Sequence, residues 1–413
     1  LTIFNPAYFL RHISLPTLRQ FTDAHPLGTE LAVDWEQPED SLPRLLTEAL
    51  TVKQDSLSDA ALSSKDREDL EHKLHLWQDD LRRAHMMSNE LAINEFLAAS
   101  LPEQNFVSEF ANRDAREKAL WVLTYHPQIF RDVELHLAFQ AKADGKYWKK
   151  HRIQASLEIP DERDKLEKFS HEVAKLYEKV GGGKSSHVEL SHHASDQSIQ
   201  LTIYVEGPVT ALAHFSENSF KKMTTRIALE TALVYQPATG VIESVVKGGA
   251  KNHAAVLELF GKHLVGQEIK PEEIEKKRYK LNELRDGMLE PFEDWSSHGI
   301  EKIRLRRARF SPKSTTGVAF QIEASPDKDQ DDAIKLGLDT LKIHHSFETE
   351  YNLDAGSVVV FMSTAPGQKN KSFSFSLYST GSSTIKNLSS TNQTIALTVL
   401  RALNVIDGDE GQA

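Results

Sequence analysis

The sequence predicts an α+β protein: a helical N-terminal region followed by antiparallel sheet units with helices packed on one face. Three observations carry this. Apolar residues recur at helical spacing up to about residue 150, and the period changes to strict alternation after Gly183. Finally, a second alternating block, beginning at Ile300, reads β-β-α-β-β-α. The 413 residues are enough for two or three domains, read as 1–160, 161–266 and 267–413. With 39% hydrophobic and 26% charged residues, the composition is that of an ordinary globular chain.

The first helix is expected over Pro6–Thr22, kinked at Pro16, because proline lacks an N–H and clashes with the preceding turn. Ser41 is placed to cap a second helix carrying Leu42, Leu45, Leu46, Ala49 and Leu50. The clearest helix starts at Ser63, with Asp66 at capping-box spacing. Leu70, Leu74, Trp77, Leu81 and Ala84 then follow along one face. Two more helices are read over Arg113–Thr124 and Gln128–Lys142. Asp144–Pro160 reads as a connector holding the basic–aromatic run Tyr147–Arg152. Asp161–Val180 is a helix stopped by three glycines, Gly181, Gly182 and Gly183.

Two hairpins are expected next. In the first, Val188 and Leu190 alternate against Ile199, Leu201, Ile203 and Val205. The second joins Ile227–Tyr235 to Val241–Val246 through a proline- and glycine-bearing turn. A helix follows, with Asn252 as its N-cap and Gly266 as its stop. Residues 267–299 form a connection with one element near Arg278–Leu284. Strands are expected over Ile300–Phe310, Gly317–Ala324, Ser357–Ser363 and Lys371–Tyr378. Helices are expected near Asp329–Leu341 and Asn392–Leu403. Whether the two strand blocks share one sheet stays open at this point.

The chain contains no cysteine, which excludes disulfides, thiolate metal sites and cysteine nucleophiles. No apolar run approaches the roughly 18 residues of a membrane span. Arg11, His12 and Arg19 interrupt the first apolar stretch, so a cytoplasmic protein with no membrane partner is expected.

Most catalytic motifs fail on spacing. Gly181–Ser185 resembles the tail of a phosphate-binding loop, but Glu178 stands where its opening glycine belongs. His171-Glu172 is followed by Lys175 where a zinc protease needs histidine. Asp327, Asp329 and Asp331 imitate a calcium loop that lacks its glycine and its closing glutamate. Asp69, His72 and His75 share a helix face. His187, Glu189 and His193, with Asp196, share a strand side, and Glu243 and Lys247 share another. None has the spacing of an established metal centre, so no metal and no cofactor is expected. One turn, Lys247-Gly248-Gly249-Ala250-Lys251, joins a strand to a helix and is a candidate anion-binding turn.

One charge pattern stands apart from the net charge of −11. Ile300–Lys313 carries six basic residues against Glu301 alone. Ala355–Ile406 carries no acidic residue. Lys302, Arg304 and Arg306 alternate and are expected on one strand face. With Arg309, Lys369 and Lys371, and beside Ser372, Ser374 and Ser376, they would form a basic, hydroxyl-rich surface suited to phosphate oxygens. The functional expectation is a non-enzymatic binding, adaptor or sensor protein with a polyanionic partner, a nucleic acid or nucleotide-like ligand. A protein partner is also expected. The alternatives are a metal-dependent nuclease or other phosphodiester hydrolase, and an interaction scaffold such as an accessory component of a prokaryotic antiviral assembly.

Overall fold

The computed structural model describes residues 4–38, 41–59, 61–143, 145, 147–193, 196–216, 219–274, 279–285, 295–324, 337, 340, 347–363 and 371–406. The chain forms two compact units. One comprises Leu1–Lys142 and Tyr147–Glu273, the other Ala143–Lys146 and Ile274–Ala413. The fold class is α+β.

The first unit opens with helices α1 (Pro6–Leu10) and α2 (Leu15–Ala24). The single kinked helix expected here is two helices, because Pro16 sits in the first turn of α2, where its missing N–H costs nothing. There follow α3 (Leu42–Ser56), α4 (Ser64–Met86), α5 (Glu90–Ala99), α6 (Phe106–Phe110), α7 (Ala115–Tyr125) and α8 (Pro127–Lys142). Ser41 precedes α3 without capping it; its hydroxyl donates to Pro38 O. The Ser63 cap of α4 forms as expected: its Oγ accepts from Asp66 N at 3.2 Å and donates to the Asp66 carboxylate at 2.6 Å. Leu70, Leu74, Trp77, Leu81 and Ala84 are all buried in one apolar cluster with α1, α2, α5 and α7. Each large side chain so placed stabilises the fold by about 1.5–3 kcal/mol relative to exposure.

A six-stranded antiparallel sheet completes this unit. Its strands are β1 (Trp148–Arg152), β2 (Ser186–His192), β3 (Ile199–Ser216), β4 (Ser219–Gln236), β5 (Val241–Val245) and β6 (Glu272–Glu273), in the spatial order β2-β3-β4-β5-β1-β6. The two expected hairpins are thus parts of one meander. Helices α9 (Arg163–Lys175) and α10 (Ala250–Phe260) cover one face through Phe169, Val173, Val256 and Leu257 against Leu201, Ile203 and Val205. The opposite face carries Gln200 and Tyr204. It meets α8, where Gln200 Nε2 donates to Leu135 O and Arg131 binds Glu189. This sheet is therefore flanked by helices on both faces, not on one as expected. The Tyr147–Arg152 run, expected as connector, supplies β1. Trp148 and His151 are buried there, and Lys149 and Lys150 are paired with Glu273 and Glu243.

Beyond Val205 and Leu229, β3 and β4 leave their neighbours and run on together as a two-stranded arm. Both faces are exposed. Phe215 and Phe220 pack edge to face at 5.7 Å near its end and are 77% and 58% exposed. Arg226 ties the root, donating to Gly181 O at 2.7 Å and Gly207 O at 3.1 Å and pairing with Glu206 at 2.9 Å.

The second unit holds a separate four-stranded antiparallel sheet. Its strands are β7 (Ile300–Pro312), β8 (Phe320–Glu323), β9 (Tyr351–Met362) and β10 (Lys371–Tyr378), in the order β10-β9-β7-β8. Among the described residues its helices include α11 (Asn282–Arg285), α12 (Phe347–Glu350) and α13 (Ser390–Ala402). Ile303, Leu305, Ala308, Phe310, Val358, Val360, Phe375 and Leu377 form its core with Ala396, Val399 and Leu400 of α13. The helix expected over 329–341 and the calcium-like aspartates fall almost wholly outside the described residues. Among the described residues no helix is long and apolar enough to cross a membrane.

Candidate anion-binding site

The candidate site is built on the face of the second sheet opposite α13. Residues directly opposed across antiparallel strands project to the same side. The register therefore sets four rows: Lys302–Phe361–Ser372, Arg304–Val359–Ser374, Arg307–Ser357–Ser376 and Arg309–Ala355–Tyr378. Strand β8 extends the last two with Glu323 and Gln321. The expected alternation of Lys302, Arg304 and Arg306 does not survive. The register shifts between Leu305 and Arg307, so one extra residue enters β7 and Arg307 continues the face in place of Arg306.

Arg304 is 3% exposed, buried with Val359 and Phe361. It cannot present its guanidinium to an external polyanion, which corrects the expectation that it is a surface cation. Arg306 is half-buried and lies 3.5 Å from Glu323. Lys302 is exposed at one end of the face. Lys371 is exposed too, but shares strand parity with Phe373, Phe375 and Leu377, so it does not join the arginine rows. Lys369 lies outside the described residues.

Two arginines define the working end. Arg307 clasps Glu323 with Nη2–Oε1 at 3.0 Å and Nε–Oε2 at 3.3 Å. That pairing holds the Glu323 carboxyl below its usual range and raises the Arg307 guanidinium. Arg309 faces Gln321 across the strand pair, is exposed, and makes no ion pair among the described residues. Both arginines line a cavity of about 590 Å³ with the hydroxyl-bearing residues Ser357, Ser376, Ser379, Thr380 and Ser382. Asp354 is on its wall and accepts from Ser311 Oγ at 2.9 Å.

The hydroxyls owe their position to a tight turn after β10. Tyr378 N donates to Ser382 O at 3.0 Å, Gly381 N donates to Tyr378 O at 2.9 Å, and Ser379 N donates to Asp354 O at 2.8 Å. Gly381 has φ +85°, a conformation that glycine adopts without steric cost. Arg307, Gln321 and the Ser379–Ser382 turn escape the sequence reading. Only the acid-free, serine-rich composition of the region pointed toward them.

The second anion candidate belongs to the first unit. Lys247, Gly248, Gly249 and Lys251 form an exposed turn with φ +105° at Gly248 and +80° at Gly249. Asn252, expected as the N-cap, instead donates from Nδ2 to Lys247 O at 2.9 Å. The N-cap is Gly249, with no side-chain hydrogen bond. A Cβ at Gly248 would stand 2.0 Å from Asn252 Nδ2, so the turn and its stitch account for that glycine.

The histidine groups have other partners. Asp69 pairs with Lys73 at 2.7 Å. Glu189 is held by Arg131 at 2.8 and 2.9 Å, while His193 is buried against His136 with ring centres 4.2 Å apart. Burial, and then the neighbouring His136, push His193 down to about 4; burial likewise lowers His136. Glu243 accepts from Trp148 Nε1 at 3.0 Å and pairs with Lys150 at 3.2 Å. Among the described residues, no group of three or more histidine, aspartate or glutamate side chains is arranged to hold a metal ion. No protein-family model matches the chain, and no curated protein matches it.

Proposed function

We propose that the protein is a non-enzymatic binding or adaptor protein whose second unit holds a phosphate-bearing polyanion. One observation carries the reading. Arg309 is exposed and without an ion pair among the described residues, and it lines a cavity rich in serine and threonine hydroxyls. Guanidinium and hydroxyl groups together bond phosphate oxygens without reading bases. Arg307, already oriented by Glu323, lies one row away, and Lys302 extends the face. The net charge of −11 does not oppose this, because distant charges are screened beyond about 8 Å at physiological salt.

Fluorescence anisotropy with short DNA, RNA and heparin at low salt tests the proposal. Binding should appear at ~50 mM salt and fall steeply as salt rises. Arg309→Glu should weaken it about tenfold or more, as expected when a charge-assisted hydrogen bond is lost and repulsion added. Absence of binding to all three, or binding indifferent to Arg309→Glu, removes the reading. Metal-dependent cleavage of a labelled oligonucleotide would replace it with a phosphodiester hydrolase.

A further inference from the structure

The two edges of the first unit's sheet are unlike. One is β6, two residues long and both glutamate. Shortness and charge are the usual protection of a sheet edge. The other is β2, seven residues with neither proline nor lysine. Its register with β3 shows what it leaves open. His193 N donates to Ser198 O and Glu206 N donates to Ser185 O, both at 2.9 Å. Odd-numbered residues of β2 thus turn their main-chain groups toward β3. Ser186, Val188, Leu190 and His192 turn theirs outward. Val188 and Leu190 are also only half-buried. A groove of about 650 Å³ lies alongside, between Ser186–Val188 and residues of α9 such as Leu166 and Ser170.

A row of outward N–H and C=O groups is complementary to one thing, another extended strand. We infer that this strand is β2 of a second copy, so that the chain associates as a two-fold dimer through an antiparallel β2–β2 pair. The side chains of β2 are self-complementary in one register. Centred on Val188, the pairing sets Val188 opposite Val188, Ser186 opposite Leu190, and His187 opposite Glu189, the last two occurring twice by symmetry. Centred on Glu189, it would set the two Glu189 carboxylates against each other, which is unfavourable. Centred on Leu190, it leaves Glu189 opposite Ser191 and loses the His187 partner. The Val188 register gives about six main-chain hydrogen bonds, two per outward-facing pair. It also gives two His187–Glu189 contacts between copies. The His187 side chain is 71% exposed and its Nε2 lies 3.7 Å from Glu189 Oε1 of its own strand, beyond hydrogen-bond length, so a loose contact within the chain is exchanged for one between copies. A two-fold axis closes the assembly, so the open edge is consumed and does not propagate into a fibre.

The chain's lack of cysteine makes the test direct, because any introduced thiol is the only one present. Sedimentation velocity over a concentration series should show a monomer–dimer equilibrium. Val188→Cys places two thiols in a hydrogen-bonded antiparallel pair, with Cα atoms about 5.5 Å apart, within disulfide reach. Under a mild added oxidant it should form a covalent dimer. Ser186→Cys and Leu190→Cys should each fail alone and crosslink when mixed, which reads the register. Val188→Lys should shift the equilibrium to monomer, with an unchanged circular dichroism spectrum showing that it folds. A chain that stays monomeric at every concentration overturns the inference, since the edge is then left for a different partner. So does a dimer that survives Val188→Lys, or equal crosslinking by all three single variants. Polyanion binding is read separately, at Arg309, so either conclusion can fail without the other.

Discussion

Arg307 and Glu323 face each other across β7 and β8 and close a two-pronged ion pair, while two residues along the same face Arg309 stands opposite the neutral Gln321. One arginine is thereby held in place, and the other makes no ion pair among the described residues. The pair is exposed, so it contributes little to stability. Its effect is on how much positive charge the face offers.

Glu323→Gln should therefore increase polyanion affinity. The substitution removes the carboxylate that neutralises Arg307 and leaves a neutral amide. A gain of one phosphate contact steepens the slope of log K against log salt by about 0.9 for duplex DNA. Anisotropy titrations at several salt concentrations check this, and thermal unfolding should be nearly unchanged.

Arg304 and Arg309 lie on the same strand and should respond oppositely to truncation. Arg309→Ala should weaken binding and leave stability within about 0.5 kcal/mol, as for most exposed substitutions. Arg304→Ala should cost about 2 kcal/mol or more, because it empties a buried site beside Val359 and Phe361. Chemical denaturation separates the two, and equal destabilisation by both would contradict the burial of Arg304.

The first unit should lose stability as pH falls from about 6.5 toward 4. His193 titrates near 6.5 when unfolded but only at about 4 when folded. Below 6.5 the unfolded chain takes up a proton that the folded chain refuses, so unfolding is favoured until the folded pKa is passed. The stability is fully present above 6.5. For one such histidine the loss is of the order of 3 kcal/mol. His25 and His253, also lowered to about 4 by burial, act in the same direction. Denaturation midpoints measured across this range check the sign. His193→Gln should flatten part of the slope.

Amide exchange should divide β3 and β4 in two. Protons of Leu201–Val205 and Thr231–Tyr235 lie in a buried sheet and should exchange slowly. Those of Val209–Phe215 and Phe220–Arg226 lie in a ribbon that pairs with no third strand among the described residues, and should exchange faster. Arg226→Ala, which removes the root tie, should widen the contrast. Uniform protection along both strands would contradict it.

What could be read from sequence depended on whether the determining interaction was local. The α4 cap and stripe need only residues three and four apart, and both formed. β1 needed Glu243 and Glu273 to neutralise its lysines, and those acids lie more than 90 residues away. The basic face was recognised as a composition, but its membership turned on a bulge in β7. A bulge is set by pairing with β9, about 50 residues on, so Arg307 could not be told from Arg306 by alternation alone. The arm was missed because its strands run past the point where apolar alternation reports burial.

The arm also has mechanical meaning. β3 and β4 are continuous from the buried Leu201–Leu233 pair to the Phe215–Phe220 pair at the far end. At roughly 3.3 Å per residue, the ten residues from Gly207 to Ser216 reach about 33 Å beyond the sheet. Arg226, bound to Glu206, Gly181 and Gly207, sits where the free length meets the supported length. That is the geometry of a lever with a fulcrum. A sideways load on the two phenylalanines would act about Arg226, and the same two strands run on from there to the buried Gln200 and Leu233.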